Sequence, residues 1–314
     1  MPAVASFPSR CRRAFIALAL ICSAQAAATQ PREVILPHGG LELTGVLELA
    51  TGKTLADGAV LMLHGNMAHA DMGVMRQFRL ALNEAGFNTL AINLSLNQNR
   101  RRGMLECDAP ISHKVEDALP ELAAWLDWLA RHGARDATLF GFSRGGHQVA
   151  WFAAARGHPL LHSVILLAPP VGRDGAAPES YQARYGKPLE PFLNQARALA
   201  AAGKAEGTLD QVGFLSCDAA RVSAAAFLSH YDLAADNDTP ALLARIRVPT
   251  LVVVAGGDEI ARDTEPRFRP HIDGTMRRLT VVPGADHFFR DLYGEDAGEA
   301  ILSFLRQFHE LRGN

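Results

Sequence analysis

Residues 137–146 read ATLFGFSRGG. An apolar run enters Gly141-Phe142-Ser143-Arg144-Gly145, and an amphipathic stretch at 144–156 follows at once. A strand that turns into a helix over Gly-x-Ser-x-Gly puts the serine on a sharp, strained turn. Its hydroxyl then stands clear of the sheet, and the flanking glycines remove side chains that would collide there. The helix start also aims unpaired N–H groups and a positive dipole end at whatever the serine attacks. Ser143 is therefore the candidate nucleophile.

On either side of it, unbroken apolar runs recur at 59–65 (AVLMLHG), 89–96 (TLAINLSL), 163–169 (SVILLAP), 250–256 (TLVVVAG) and 278–284 (RLTVVPG). Strands apolar on both faces and separated by amphipathic segments imply a parallel sheet with helices on both sides. Helices are predicted over 72–85, 113–132, 144–156 and 294–311. The second carries Val115, Leu119, Leu122, Leu126 and Leu129 on one face. Ahead of these, REVILP (32–37) and the alternating LELTGVLELA (41–50) flank a His38-Gly39-Gly40 turn, as in a half-buried hairpin at a sheet edge. The fold class is α/β: a mostly parallel twisted sheet of about eight strands between two helical layers.

Residues 170–247 break the alternation and read as loop with short Ala-rich helices. A connection this long is rarely structureless in a compact domain. It is expected to be a helical lid inserted over the carboxyl edge of the sheet, between core segments 32–169 and 248–314 of a domain spanning 27–314. Its Tyr181, Tyr185, Phe192, Phe214, Phe227 and Tyr231 suit an apolar pocket wall.

Serine is inert at neutral pH without an adjacent base. His287, in VVPGADHFF (281–289), follows the last core strand in a Gly-bearing loop at the edge where Ser143 emerges. The imidazole needs an acid to fix its tautomer. Asp258, in VVVAGGDEI (252–260), follows the preceding strand directly; Glu259, Asp263 and Asp174 are the alternatives. Ser143, Asp258 and His287 then run in the order Ser…Asp…His.

Together LMLHGN (61–66), GFSRGG (141–146), VVVAGGDEI and VPGADHFF resemble the α/β-hydrolase superfamily over essentially all of the chain beyond residue 26, in an exported branch of it. The resemblance implies the α/β-hydrolase fold and a serine hydrolase with catalytic Ser143, Asp258 and His287. Its oxyanion hole would be made by the backbone N–H of Asn66, with Met67 the alternative, and of Arg144. His64 would be structural. A small-molecule acyl substrate, ester, thioester or amide, is implied, with no cofactor. His64, His69 and Asp71 lack a third strong neighbour as a metal set, so no metal is expected. Dehalogenase and epoxide hydrolase chemistry would need a carboxylate at position 143. A non-catalytic member that binds a small molecule or a partner is the other class the fold allows. The chain departs from the common pattern in Phe142, where His is frequent, in the large cation at Arg144, and in the loop LSLNQNRRRGMLECDAP (94–110).

The N-terminus has its own signature. Arg10, Arg12 and Arg13, the run AFIALALICSA (14–24) and the string AQAAATQP have the order of a secretory signal, with cleavage expected after Ala26. The apolar run is too short to span a bilayer, so no stable membrane anchor is expected after cleavage, and the destination would be periplasmic or secreted. Losing three arginines and no acid moves the formal net charge from −2 to −5. That balance has no footprint for nucleic acid. Cys107 and Cys217 would be the pair left in an oxidising compartment, and a disulfide between them is expected. Arg100, Arg101 and Arg102 could fork onto a substrate carboxylate or phosphate. A solvated basic turn is the simpler reading.

Overall fold

The computed structural model describes residues 30–171, 177–232 and 238–310, together with residues 1 and 3. Apart from those last two residues, the expected signal 1–26 lies outside the described residues, and so does the alternative acid Asp174. The chain opens with the hairpin β1 (Arg32–His38) and β2 (Leu41–Glu48). It continues through β3 (Ala59–Leu63), α1 (Gly73–Glu84), β4 (Thr89–Asn93), α2 (Ala118–Arg131), β5 (Ala137–Phe142), α3 (Arg144–Ala155) and β6 (Leu161–Leu167). An insertion follows, with α4 (Pro178–Tyr185), α5 (Glu190–Ala201), β7 (Thr208–Phe214), β8 (Cys217–Ser223), α6 (Ala224–Tyr231) and α7 (Thr239–Leu243). The chain ends with β9 (Thr250–Ala255), α8 (Thr264–Phe268), β10 (Arg277–Val282) and α9 (Leu292–Glu310).

The main sheet has the order β1-β2-β4-β3-β5-β6-β9-β10. The edge hairpin is antiparallel, and every pair from β4 to β10 is parallel. Its pleat explains the unbroken apolar strands. Leu61, Leu63, Leu139, Leu166 and Val252 face one core with Trp125 of α2 and Val149 and Phe152 of α3. Their neighbours Val60, Met62, Phe140, Leu167 and Val253 face the other, with Phe78 of α1 and Ile301 and Phe304 of α9. Both faces are buried, so neither set can be polar. Chain order reverses around β3, which pairs β4 on one side and β5 on the other. Open α/β sheets bind ligands beyond the carboxyl ends of the strands at such a switch point.

The insertion is not purely helical as expected, because β7 and β8 form an antiparallel hairpin. Nor do its aromatic residues stand as an open wall. Tyr181, Phe214 and Phe227 are fully buried, and the rings pack against one another at tilted angles, with Tyr181 and Tyr185 centroids 4.5 Å apart and Phe227 and Tyr231 4.9 Å apart. A segment of this size with no strand of the main sheet beneath it must bury its own apolar surface, and these rings are its core. Met67, Leu105 and Ile111 join that core from the loops of the main sheet. Ile111 also bridges to Val222 of β8. Among the described residues no helix is long and apolar enough to cross a membrane.

Cys107 and Cys217 form a disulfide, their Cα atoms 5.5 Å apart, that ties the insertion to the loop after β4. The cysteines are 110 residues apart in sequence. Closing so long a loop restricts the unfolded chain by about 4 kcal/mol on the chain-entropy account. Replacing both cysteines by serine is expected to lower the unfolding free energy in urea by about that amount. An unchanged urea midpoint would refute this.

Candidate active site

Ser143 stands between the last residue of β5 and the first of α3 with φ +53° and ψ −124°. Few residues with a side chain adopt a positive φ, and such strain persists only where the surroundings enforce it. Here the backbone is held from both sides: the Ser143 N–H donates to Leu167 O at 2.8 Å, and Ser143 O accepts from the Gly146 N–H at 2.8 Å. A close approach makes this possible. A Cβ on Gly145 would run into the backbone oxygens of His64 and Leu63. A Cβ on Gly65 would lie 3.2 Å from both Phe142 and the Ser143 Cβ. The loop after β3 therefore lies directly against the serine.

That loop is bolted from behind. The His64 Nδ1–H donates to Gly65 O at 2.7 Å, leaving Nε2 to accept from the Leu94 N–H at 3.2 Å and an Arg101 N–H at 2.8 Å. Arg101 is buried and spends its other donors on Leu94 O at 2.6 Å, Ala68 O at 2.7 Å and Gly103 O. Asn93 accepts the Ala70 N–H at 2.6 Å. The amides of Asn66, Met67 and Arg144 take part in none of these bonds. The Arg144 amide is one of the unpaired N–H groups that every helix start carries.

The expected basic turn is thus three different side chains. Arg100 pairs with Glu42 and Arg102 with Glu33, both on the edge hairpin, while Arg101 turns inward as a backbone clamp. None of the three is a free site for a substrate anion, and Arg101 is not solvated. Of the proposed metal set, His64 is consumed by backbone bonds and Asp71 pairs with Arg76 and Arg79.

His287 and Asp258 come from the turns after β10 and β9. These turns are stitched together by Gly256 N–H to Val282 O at 2.9 Å and Gly257 N–H to Ala285 O at 2.8 Å. The Asp258 Oδ1 accepts the amides of Ile260 and Ala261 at 2.8 and 2.7 Å, which leaves Oδ2 facing His287 Nδ1 at 2.6 Å. His287 Nε2 lies 2.9 Å from Ser143 Oγ. The Asp258 and His287 side chains are nearly covered, 4% and 6% exposed. Burial alone would raise the Asp258 pKa, but the bond from His287 and the two amides outweigh burial and hold it below the usual carboxylate range. An ionised carboxylate only accepts, so Nδ1 carries the imidazole proton and Nε2 is free to accept from the serine hydroxyl. Phe142 packs on the imidazole with ring centroids 5.2 Å apart. Glu259 and Asp263 are exposed and make no bond to His287.

Four more imidazoles lie buried nearby in the fold, and sequence reading singled out only His64. Burial first, and the Arg101 or Arg144 guanidinium second, push His64 and His147 down to about 3 and His113 to about 4, while burial above all holds His230 well below its ordinary value. Each is neutral in the folded chain and protonates on unfolding, so its contribution is fully present above about pH 6.5 and is lost as the pH falls toward its folded value. Stability is expected to drop as the pH falls from 6.5 toward 4.5, by at most roughly 1 kcal/mol per pH unit for each such histidine. Urea midpoints measured across that window check this, and a flat profile would contradict it.

The chain matches the model of the alpha/beta hydrolase family over residues 60–302. Among solved structures it is similar to Est1E from Butyrivibrio proteoclasticus, at 18% identity and TM-score 0.62 over 88% of this chain and 98% of that one. It is also similar to the monoacylglycerol lipase of Paleococcus ferrophilus, at 20% identity and TM-score 0.59 over 85% and 100%. A third is the alpha/beta hydrolase GrgF from Penicillium sp. sh18, at 17% and 0.63 over 90% and 98%.

Proposed function

The chain belongs to the alpha/beta hydrolase family, and from that premise we propose that it is an exported serine hydrolase cleaving an ester or related acyl bond. The reading is carried by one observation, the continuous hydrogen-bonded chain Asp258–His287–Ser143 at 2.6 and 2.9 Å. In this reading Ser143 Oγ attacks the acyl carbon while its proton passes to His287 Nε2, and Asp258 steadies the imidazolium. The amides of Asn66 and Arg144 receive the oxyanion. The bond to the leaving group then breaks as His287 returns the proton to it, and water releases the acyl group from Ser143 by the same steps. The esterase and lipase likenesses support an ester before an amide. The disulfide between Cys107 and Cys217 supports export, since such bonds persist in oxidising compartments.

A fluorophosphonate probe should label the protein at Ser143, and p-nitrophenyl esters of graded chain length should be turned over. Ser143→Ala, His287→Ala and Asp258→Asn are each expected to cut kcat by roughly three orders of magnitude or more, with the melting temperature kept. Groups that act as a unit are not additive, so Ser143→Ala with His287→Ala should be little worse than either alone. A chain that takes no label and hydrolyses no ester would instead be a binding member of the fold. The exported form, sequenced from its N-terminus, should begin at residue 27.

A further inference from the structure

Arg144 leaves the first turn of α3 one residue after Ser143, half-buried, and its guanidinium makes no hydrogen bond or ion pair with any described residue. It differs in this from Arg79, Arg100, Arg101 and Arg102, all of which are paired. The groups within its electrostatic reach are Tyr231, His147 and His230. None of them carries a negative charge. The Tyr231 hydroxyl is already engaged, accepting from the Leu215 N–H at 2.9 Å and facing the Tyr185 hydroxyl at 3.3 Å. His147 is 1% exposed and His230 4%. His147 Nδ1 lies 2.9 Å from Thr239 Oγ1, while its Nε2 is unpartnered. The His230 ring sits beside the His113 backbone and rings but makes no hydrogen bond of ordinary geometry.

A cation drawn from water with no counter-charge is strongly unfavourable, and so are ring nitrogens buried without partners. The described surroundings hold no carboxylate to offset Arg144, and the neutral imidazoles add no second positive charge. We propose that the Arg144 guanidinium is the receptor for a free carboxylate on the substrate, so that the preferred substrate is an ester whose acyl or alcohol part bears a second, anionic carboxyl group. One guanidinium fork matches the geometry and the single charge of a carboxylate. A phosphate monoester, at close to two charges, would be left half neutralised. The proposal rests on Ser143 being the nucleophile, because the receptor is useful only beside the reacting atom.

Two matched pairs of esters test it: p-nitrophenyl hydrogen glutarate against p-nitrophenyl pentanoate for the acyl side, and 4-acetoxybutyrate against butyl acetate for the alcohol side. The wild-type enzyme is expected to favour the anionic member of at least one pair by about ten- to a hundredfold in kcat/KM, mostly through KM. In Arg144→Gln that ratio should fall close to one, and Arg144→Lys should keep part of it. Equal use of both members of both pairs by the wild type, or a ratio that survives in Arg144→Gln, overturns the proposal. If Ser143→Ala hydrolyses all four esters as the wild type does, the nucleophile assignment fails instead. A second readout does not depend on turnover. Glutarate should raise the melting temperature of Ser143→Ala, and should not do so once Arg144→Gln is added. Arg144→Gln alone should melt no lower than wild type, having no partner to lose among the described residues, and a strong loss of stability would reveal a partner and overturn the assignment. A larger melting shift with 3-phosphonopropionate than with glutarate would overturn the choice of carboxylate.

Discussion

The site depends on one close approach, the start of α3 against the end of β3. Gly145 leaves no room for a Cβ before the backbone oxygens of His64 and Leu63. Only with that gap closed can the chain leave β5 through the positive φ of Ser143 and begin a helix without an intervening loop. The same contact lays Gly65, the residue before Asn66, against the serine. Two adjacent parallel strands thus deliver the serine and its neighbouring amides within a few residues. The strain this costs is carried by the sheet pairing and helix bonds on either side.

Asp258 and His287 are built on a different plan. They sit on two turns that hydrogen-bond to each other at the far side of the switch point, and their relative position is set by backbone bonds between those turns. The carboxylate is held by two amides of its own loop before it meets the imidazole. Each half of the site is therefore rigid by itself, and the halves meet through the 2.9 Å contact from His287 to Ser143. Arg101 plays the matching part on the serine side, spending its donors on three carbonyls and His64.

What could be read from sequence was what is locally encoded. The apolar strands, the Gly-x-Ser-x-Gly elbow and the strand-end positions of Asp258 and His287 are short-range signals, and the structure has strands and loops at those positions. Arg101 was invisible because its partners are backbone carbonyls, which any residue supplies, and because Arg100 and Arg102 beside it are ordinary surface ion pairs. The β7–β8 hairpin was missed for a sharper reason. Its two-residue connection puts Leu215 at φ +55°, where a hairpin would ordinarily show Gly, Asn or Asp, and a register shift near Gln211 breaks the alternation. A Tyr231 hydroxyl bonded to the Leu215 amide holds that turn instead, and the tyrosine lies far beyond any local window.

The pairing of β6 with β9 has a consequence in time as well as in space. During synthesis β6 emerges with one edge paired to β5 and the other open, and its partner arrives only after the whole insertion has been made. An apolar parallel strand with unpaired N–H and C=O groups is a template for wrong partners while it waits. The insertion's aromatic rings give that stretch apolar partners of its own, which lowers its competition for the exposed edge. Its long loop therefore lengthens the search for β9 only modestly, since closure entropy grows with the logarithm of loop length.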